Sequence, residues 1–248
     1  RPEREELQKL KDLSQYKTAP ISMEILSDIK TPIEVLRILQ NVSSHCYLLE
    51  SISDNEEWGR YTFLGYDPSL EITCQDGHMK AGSLTFDTRE PGRFIRQVIE
   101  DHRSPRFDYL PSFTGGLVGY FSYDYLKYAE PTLHLDAVDT EGFKDVDLML
   151  FDKVIAFDHF RQKIILIVNI SLEHLDTEYN RGLLTLQQMA DLIRHGQPAK
   201  ATPGSCLTDF KPLFQEKEYC EMVEKAKHHI KEGDIFQIVL SNRLEAEF

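Results

Sequence analysis

Apolar positions recur along this chain with two different periods, and the places where the period changes mark its elements. In the stretch DIKTPIEVLRILQNV, Ile33, Leu36 and Leu39 fall on one helical face, behind Thr31 at the cap position and Pro32 at the first helical position. A second helical period runs from about Pro91 to His102 through Phe94, Ile95, Val98 and Ile99. A third covers Glu178 to His195 through Leu183, Leu184, Leu186, Met189, Leu192 and Ile193, with Gly196 placed to cap it. The fourth, Glu216 to Lys231, carries Tyr219, Met222, Val223, Ala226 and Ile230 and ends at Gly233.

Between these helices the pattern is that of strands. HCYLLES and RYTFLGYDP form a pair around a polar loop, SLEITCQ follows with a turn at Asp76-Gly77, and short alternating segments continue to Phe86, a meander of antiparallel strands. TGGLVGYFSYDYLKY reads as one glycine- and aromatic-rich strand. DVDLMLFDKVIAFD and KIILIVNI read as two long β-rich runs joined by HFRQ, a length suited to a hairpin. Strands outnumber crossover helices, so the fold class predicted is α+β, mainly antiparallel sheets with flanking helices. The residues from Gly196 to Asp209 hold Pro, Gly and small polar side chains, and IFQIVLS beyond the fourth helix reads as a strand. The expected organisation is an amino-terminal α+β domain over 1–196, a linker over 197–213, and over 214–248 the first helix and strand of a further domain.

Composition narrows the function classes. The 41 Asp and Glu residues outweigh 28 Lys and Arg, for a net charge of −13, which disfavours a nucleic-acid partner. The longest apolar run, Ile164 to Val168, is far shorter than the ~20 residues of a membrane helix. No membrane association is expected, and Cys46, Cys74, Cys206 and Cys220, scattered and unpaired in spacing, fit reduced thiols in a cytoplasmic protein. His228 and His229 are adjacent, and neighbouring helical side chains diverge by ~100°, so they do not chelate a metal.

Few segments carry chemistry by themselves. TGGLVG lacks the Gly-Lys-Ser/Thr of a phosphate loop, and its Gly115, Gly116 and Gly119 are better explained by a bulge or by close packing of another backbone. Asp145 and Asp147 share a strand face, where they could hold a cation or line a solvated strand entrance. Glu50 and Ser51 offer a carboxylate and a hydroxyl where an apolar strand opens into a loop, suited to gripping an amine or serving as a polar strand end. Gln237, Val239, Ser241 and Arg243 alternate onto one face, a row that could meet a carboxylate substrate or decorate an edge strand.

The ordered series CYLLES, WGRYTFLGYDP, FTGGLVGYFSYD, DVDLMLFD and IKEGDIFQIVLSNR resembles component I of anthranilate synthase, the chorismate-using subunit, from about Ser14 to Arg243. The resemblance implies a lyase of tryptophan biosynthesis that converts chorismate and ammonia to anthranilate and pyruvate, with Mg²⁺ as cofactor and a glutamine amidotransferase subunit as partner. It places feedback binding of tryptophan at LLES, making Leu49, Glu50 and Ser51 the candidate site residues, with Arg60 beside them. Gln237 stands where isochorismate-forming relatives carry a water-activating Lys; an amide cannot act as that base, which favours ammonia addition. Ser241 and Arg243 support the active-site strand. By the same resemblance the catalytic His, the acid/base Glu and the Mg²⁺ carboxylates lie beyond Phe248. The chain is therefore expected to be an inactive, truncated amino-terminal part that self-associates through its unpartnered final helix and strand. The alternatives are component I of aminodeoxychorismate synthase, in the folate pathway, and a non-catalytic ligand-binding module.

Overall fold

The computed structural model describes residues 2–12, 15–28, 30–51, 59–130, 132–133, 139, 141–200 and 203–248. The chain divides into two compact units, 1–199 and 200–248.

In the first unit, α1 (Arg4–Asp12), β1 (Thr18–Leu26), α2 (Pro32–Gln40), β2 (Cys46–Leu49) and β3 (Tyr61–Tyr66) lead into the hairpins of β4 (Leu70–Gln75), β5 (His78–Ala81) and β6 (Leu84–Asp87). Then come α3 (Pro91–Asp101), β7 (Gly116–Phe121), β8 (Val146–Phe151), β9 (Lys153–Asp158), β10 (Lys163–Ser171) and α4 (Leu175–His195). The strands make two five-stranded antiparallel sheets, ordered β1-β10-β9-β3-β2 and β6-β5-β4-β8-β7. The α+β class with antiparallel sheets and flanking helices is as the pattern predicts.

The first sheet is covered on both faces, which explains the unbroken apolar run of β10. Ile164, Leu166 and Val168 pack with Ile155, Phe157, Leu64 and Ile21 beneath Leu186, Met189 and Ile193 of α4. Ile165 and Ile167 pack with Val154 and Ala156 on the other face, next to Tyr61, Phe63, Leu110 and Phe113. A strand buried on both sides loses the alternation that marks a half-exposed one. The second sheet packs Ile72, Met79, Val146, Leu148 and Leu150 on Ile95 and Val98 of α3.

Local chemistry sets several boundaries. At α2 the Glu34 N–H donates to Thr31 Oγ1 at 3.2 Å and the Thr31 N–H donates to Glu34 Oε2 at 2.9 Å, a reciprocal cap. The Asp76-Gly77 turn has φ of 49° and 82°, the left-handed pair that a tight hairpin requires.

The structure corrects several readings. DVDLMLFDKVIAFD is two strands in two sheets, and the strands before Phe86 are divided between those sheets rather than forming one meander. Asp152 is the crossing point: its carbonyl accepts from the Asn169 N–H at 2.8 Å and from Asn169 Nδ2 at 3.3 Å, while the same Nδ2 donates to Thr114 O at 2.7 Å. TGGLVGYFSYDYLKY is a strand followed by a 3-10 helix, Tyr123–Tyr128. Leu183 and Leu184 of α4 are exposed, because α4 sits on the sheet through Gly182, where a Cβ would come within 2.5 Å of Ile21 and 2.7 Å of Ile170. Neither reading of Asp145 holds: it is 3% exposed, and its carboxylate accepts from Tyr128 Oη at 2.7 Å, the Asp76 N–H at 2.8 Å and Lys127 Nζ at 2.9 Å. Asp147 takes Lys144 at 2.8 Å.

In the second unit, α5 (Glu216–Glu232) ends at Gly233 with φ 81°, and β11 (Lys211–Pro212) pairs with β12 (Leu244–Glu245). IFQIVLS is a further correction. Residues 235–241 form no strand, because a strand exists only where a neighbour completes its ladder, and among the described residues none pairs with this segment. Tyr219 Oη donates to Leu240 O at 3.1 Å, while Phe236 and Val239 are exposed.

Candidate functional site

β2 is the last strand of the first sheet, and its register on β3 sets Cys46 against Tyr66, Leu48 against Leu64 and Leu49 against Phe63. Strand alternation then places Leu49, Phe63 and Tyr61 on the same side. Glu50 and Ser51 continue from the end of β2. Together Leu48, Leu49, Glu50, Ser51, Tyr61, Phe63 and Ser112 line an open cavity of about 470 Å³.

Its wall is aromatic. Tyr61 and Phe63 stack at 5.7 Å with their planes 30° apart, and Phe113 meets Phe63 edge-on at 5.6 Å. The array continues through Tyr47, 6.4 Å from Phe113, to Phe151 at 4.7 Å. Tyr47 occupies the space that a side chain at position 65 would need: a Cβ on Gly65 would lie 2.2 Å from its ring. Burial pushes the Tyr47 phenol well above its ordinary range, so it stays protonated.

The polar groups carried by the lining residues are the Glu50 carboxylate and the hydroxyls of Ser51, Ser112 and Tyr61. Burial, with the nearby Asp158 charge next, raises the Tyr61 phenol too, and Glu50 is the one carboxylate among the described lining residues. A cavity of this size with an apolar wall and a few convergent polar groups suits a small molecule. One carboxylate, two serine hydroxyls and a stacked aromatic pair fit a flat apolar ligand bearing an ammonium group. Among the described residues the lining contains no imidazole and no second carboxylate.

The candidates Leu49, Glu50 and Ser51 are thus brought together. Arg60 is not in the lining: its Nε and Nη2 donate to Asp158 at 3.1 and 2.7 Å, and Asp158 is fully buried. Gln237, Ser241 and Arg243 are exposed in the second unit, where Arg243 pairs with Glu245 at 2.5 Å. Residues 235–241 form no strand for them to support. Leu48, Tyr61, Phe63 and Ser112 were not anticipated. The pairing of HCYLLES with RYTFLGYDP carried the signal for Tyr61 and Phe63, whereas Ser112 arrives on the loop after α3 with no local signal.

A Mg²⁺ site is not assembled among the described residues, where no three His, Cys, Asp or Glu side chains converge. His229 bonds Asp234 at 2.8 Å, and the buried Asp145 and Asp158 are taken by Lys127 and Arg60. No described helix is long and apolar enough to cross a membrane.

The family model for chorismate binding enzymes matches residues 44–248. The chain belongs to the chorismate-binding enzyme family. Among its relatives, component 1 of anthranilate synthase from Aquifex aeolicus is 32% identical over 98% of this chain and 50% of the relative. The same component from Acetivibrio thermocellus is 30% identical over 94% of this chain and 49% of its own length. The crystal structure of anthranilate synthase component I from Streptococcus pneumoniae TIGR4 superposes with a TM-score of 0.64 at 30% identity, covering 90% of this chain and 49% of that one. This chorismate-binding family member therefore spans about half the length of the curated relatives it matches.

Proposed function

We propose that this chain is the amino-terminal part of an anthranilate synthase component I, and that the cavity at Leu49, Glu50 and Ser51 is its tryptophan feedback site. The whole enzyme converts chorismate and ammonia to anthranilate and pyruvate, takes the ammonia from a glutamine amidotransferase subunit, and uses Mg²⁺ held by residues other than these. The observation that carries the reading is the cavity itself: one carboxylate and two serine hydroxyls in one lining with a stacked Tyr61–Phe63 wall. Glu50 takes the ligand's ammonium, Ser51 its polar end, and the aromatic wall its indole face.

Calorimetric titration of the chain with L-tryptophan tests this. Saturable binding is expected, and Glu50→Gln is expected to weaken it by about tenfold to a hundredfold, the loss of one charge-assisted hydrogen bond of ~1.5–3 kcal/mol. An absence of saturable heat, or equal affinity in the variant, would overturn the reading.

The chemistry of chorismate conversion requires proton transfers for which the described lining offers only one carboxylate. The polypeptide of 248 residues, given chorismate, ammonium and Mg²⁺, is expected to form no anthranilate by fluorescence. Measurable turnover would contradict the assignment of catalysis to residues outside this chain.

A further inference from the structure

Arg60 stands immediately before Tyr61, one of the two aromatic residues of the cavity wall, and its guanidinium is held from three sides. Asp158 takes it with two hydrogen bonds, at 3.1 and 2.7 Å. The Tyr61 ring lies 4.8 Å from the guanidinium carbon and the Phe160 ring 5.7 Å from it. The backbone fixes the same residues: the Arg60 carbonyl accepts from the His159 N–H at 3.0 Å, and Tyr61 pairs with Asp158 in the ladder. Asp158 in turn is set by the Arg161 N–H at 3.1 Å. Thr62 joins the cluster through its hydroxyl, 2.8 Å from His159 Nε2.

From this arrangement we infer that Arg60 and Asp158 are positioning residues for the ligand cavity: the paired guanidinium lies over Tyr61 and holds its ring as a flat wall that selects aromatic ligands. The physical reason is geometric. A planar guanidinium fixed by two parallel hydrogen bonds has one orientation, and a ring attracted to it by the cation–π interaction inherits that orientation. Lysine offers a point charge on a flexible stem and cannot fix the plane. Tyr61 also stacks on Phe63, so the orientation is passed to both aromatic members of the lining. Arg60 acts on the ligand through Tyr61 and makes no contact of its own in this assignment. The inference rests on the reading of the cavity as an amino-acid site.

Selectivity separates a positioning role from a structural one. The affinity of the chain for L-tryptophan is compared with that for L-leucine, which offers the same ammonium and carboxylate and no ring. Arg60→Gln and Arg60→Lys are each expected to lower the tryptophan-to-leucine affinity ratio by about fivefold or more. Tyr61→Leu is expected to lower it as much, and combining it with Arg60→Gln to add little. Melting curves accompany each titration, and Arg60→Lys, which keeps the charge beside Asp158, supplies the comparison if Arg60→Gln does not fold. Unchanged ratios in Arg60→Lys and Arg60→Gln, or losses that add in full with Tyr61→Leu, overturn the positioning role. If the unaltered chain binds neither amino acid, the amino-acid reading of the cavity fails instead.

Discussion

Replacing Asp158 with Ala is expected to destabilise the first unit by about 3 kcal/mol, a fall in Tm of roughly 6–12 °C. The carboxylate is buried at the end of β9, and without it Arg60 and the Arg161 N–H each lose an acceptor. Breaking a buried pair costs ~3–5 kcal/mol, and the lower end applies because the Arg60 side chain is 30% exposed and can turn to water. The same pair sets a pH dependence. Burial by itself raises the Asp158 carboxyl, but the Arg60 hydrogen bonds, the Arg161 N–H and the two guanidinium charges more than reverse this and hold it below its ordinary value. A depressed carboxyl contributes stability that is present above its unfolded value, ~3.9, and is lost as pH falls through the folded one. Thermal melts from neutral pH into that acid range should show the loss in the unaltered chain and a smaller one in Asp158→Ala. Equal acid sensitivity in the two proteins would mean that other carboxylates dominate, with Asp145 on Lys127 the first to examine.

The second large effect is expected at Gly119. Its φ is +154°, and a Cβ there would lie 2.0 Å from the Asp147 carbonyl oxygen and 2.9 Å from the Leu148 Cα. The obstacle is ladder backbone, since Gly119 pairs with Leu148 between β7 and β8, and backbone cannot yield as a side-chain tip can. Gly119→Ala therefore combines an unfavourable conformation with an overlap, about 4 kcal/mol together. Gly116 gives the control: φ is +140°, yet a Cβ meets only the Phe113 ring at 3.8 Å. Gly116→Ala should show the conformational part alone, ~1–3 kcal/mol. Urea unfolding of both variants checks the difference, and hydrogen exchange should show lost protection at β7 and β8 in Gly119→Ala. Equal costs would mean that the overlap is relieved by a shift of the edge strand.

These two sites show what was legible in the sequence. At Gly119 the sequence pattern left a bulge or close backbone packing open, because a glycine within an apolar strand has few other uses, and the β7–β8 ladder decides for close packing. The Asp158 clamp was not, because Arg60 and Asp158 are brought together only by the pairing of β3 with β9. Tertiary pairing likewise hid the break at Asp152: VDLMLF and KVIAFD have the same local pattern, and only the Asn169 amide on the Asp152 carbonyl marks where one sheet ends. β1 was not assigned, since Pro20 and Ser22 interrupt its apolar pattern. It forms because β1 is an outer strand, where one ladder is enough and a proline is tolerated. IFQIVLS erred in the opposite direction, with strong local preference and no partner to complete it. For the cavity, the polar half at Glu50 and Ser51 was visible as a strand end, whereas the aromatic half required the β2–β3 register.

Residues 48–51, 61, 63 and 112 line one cavity, proposed above as an amino-acid site. The most direct test of that proposal is an amide NMR titration of the isotopically labelled chain with L-tryptophan. The account predicts saturable shifts that map to those residues and are abolished or weakened at least tenfold in Glu50→Gln. Shifts that map elsewhere, or none at millimolar ligand, would contradict it.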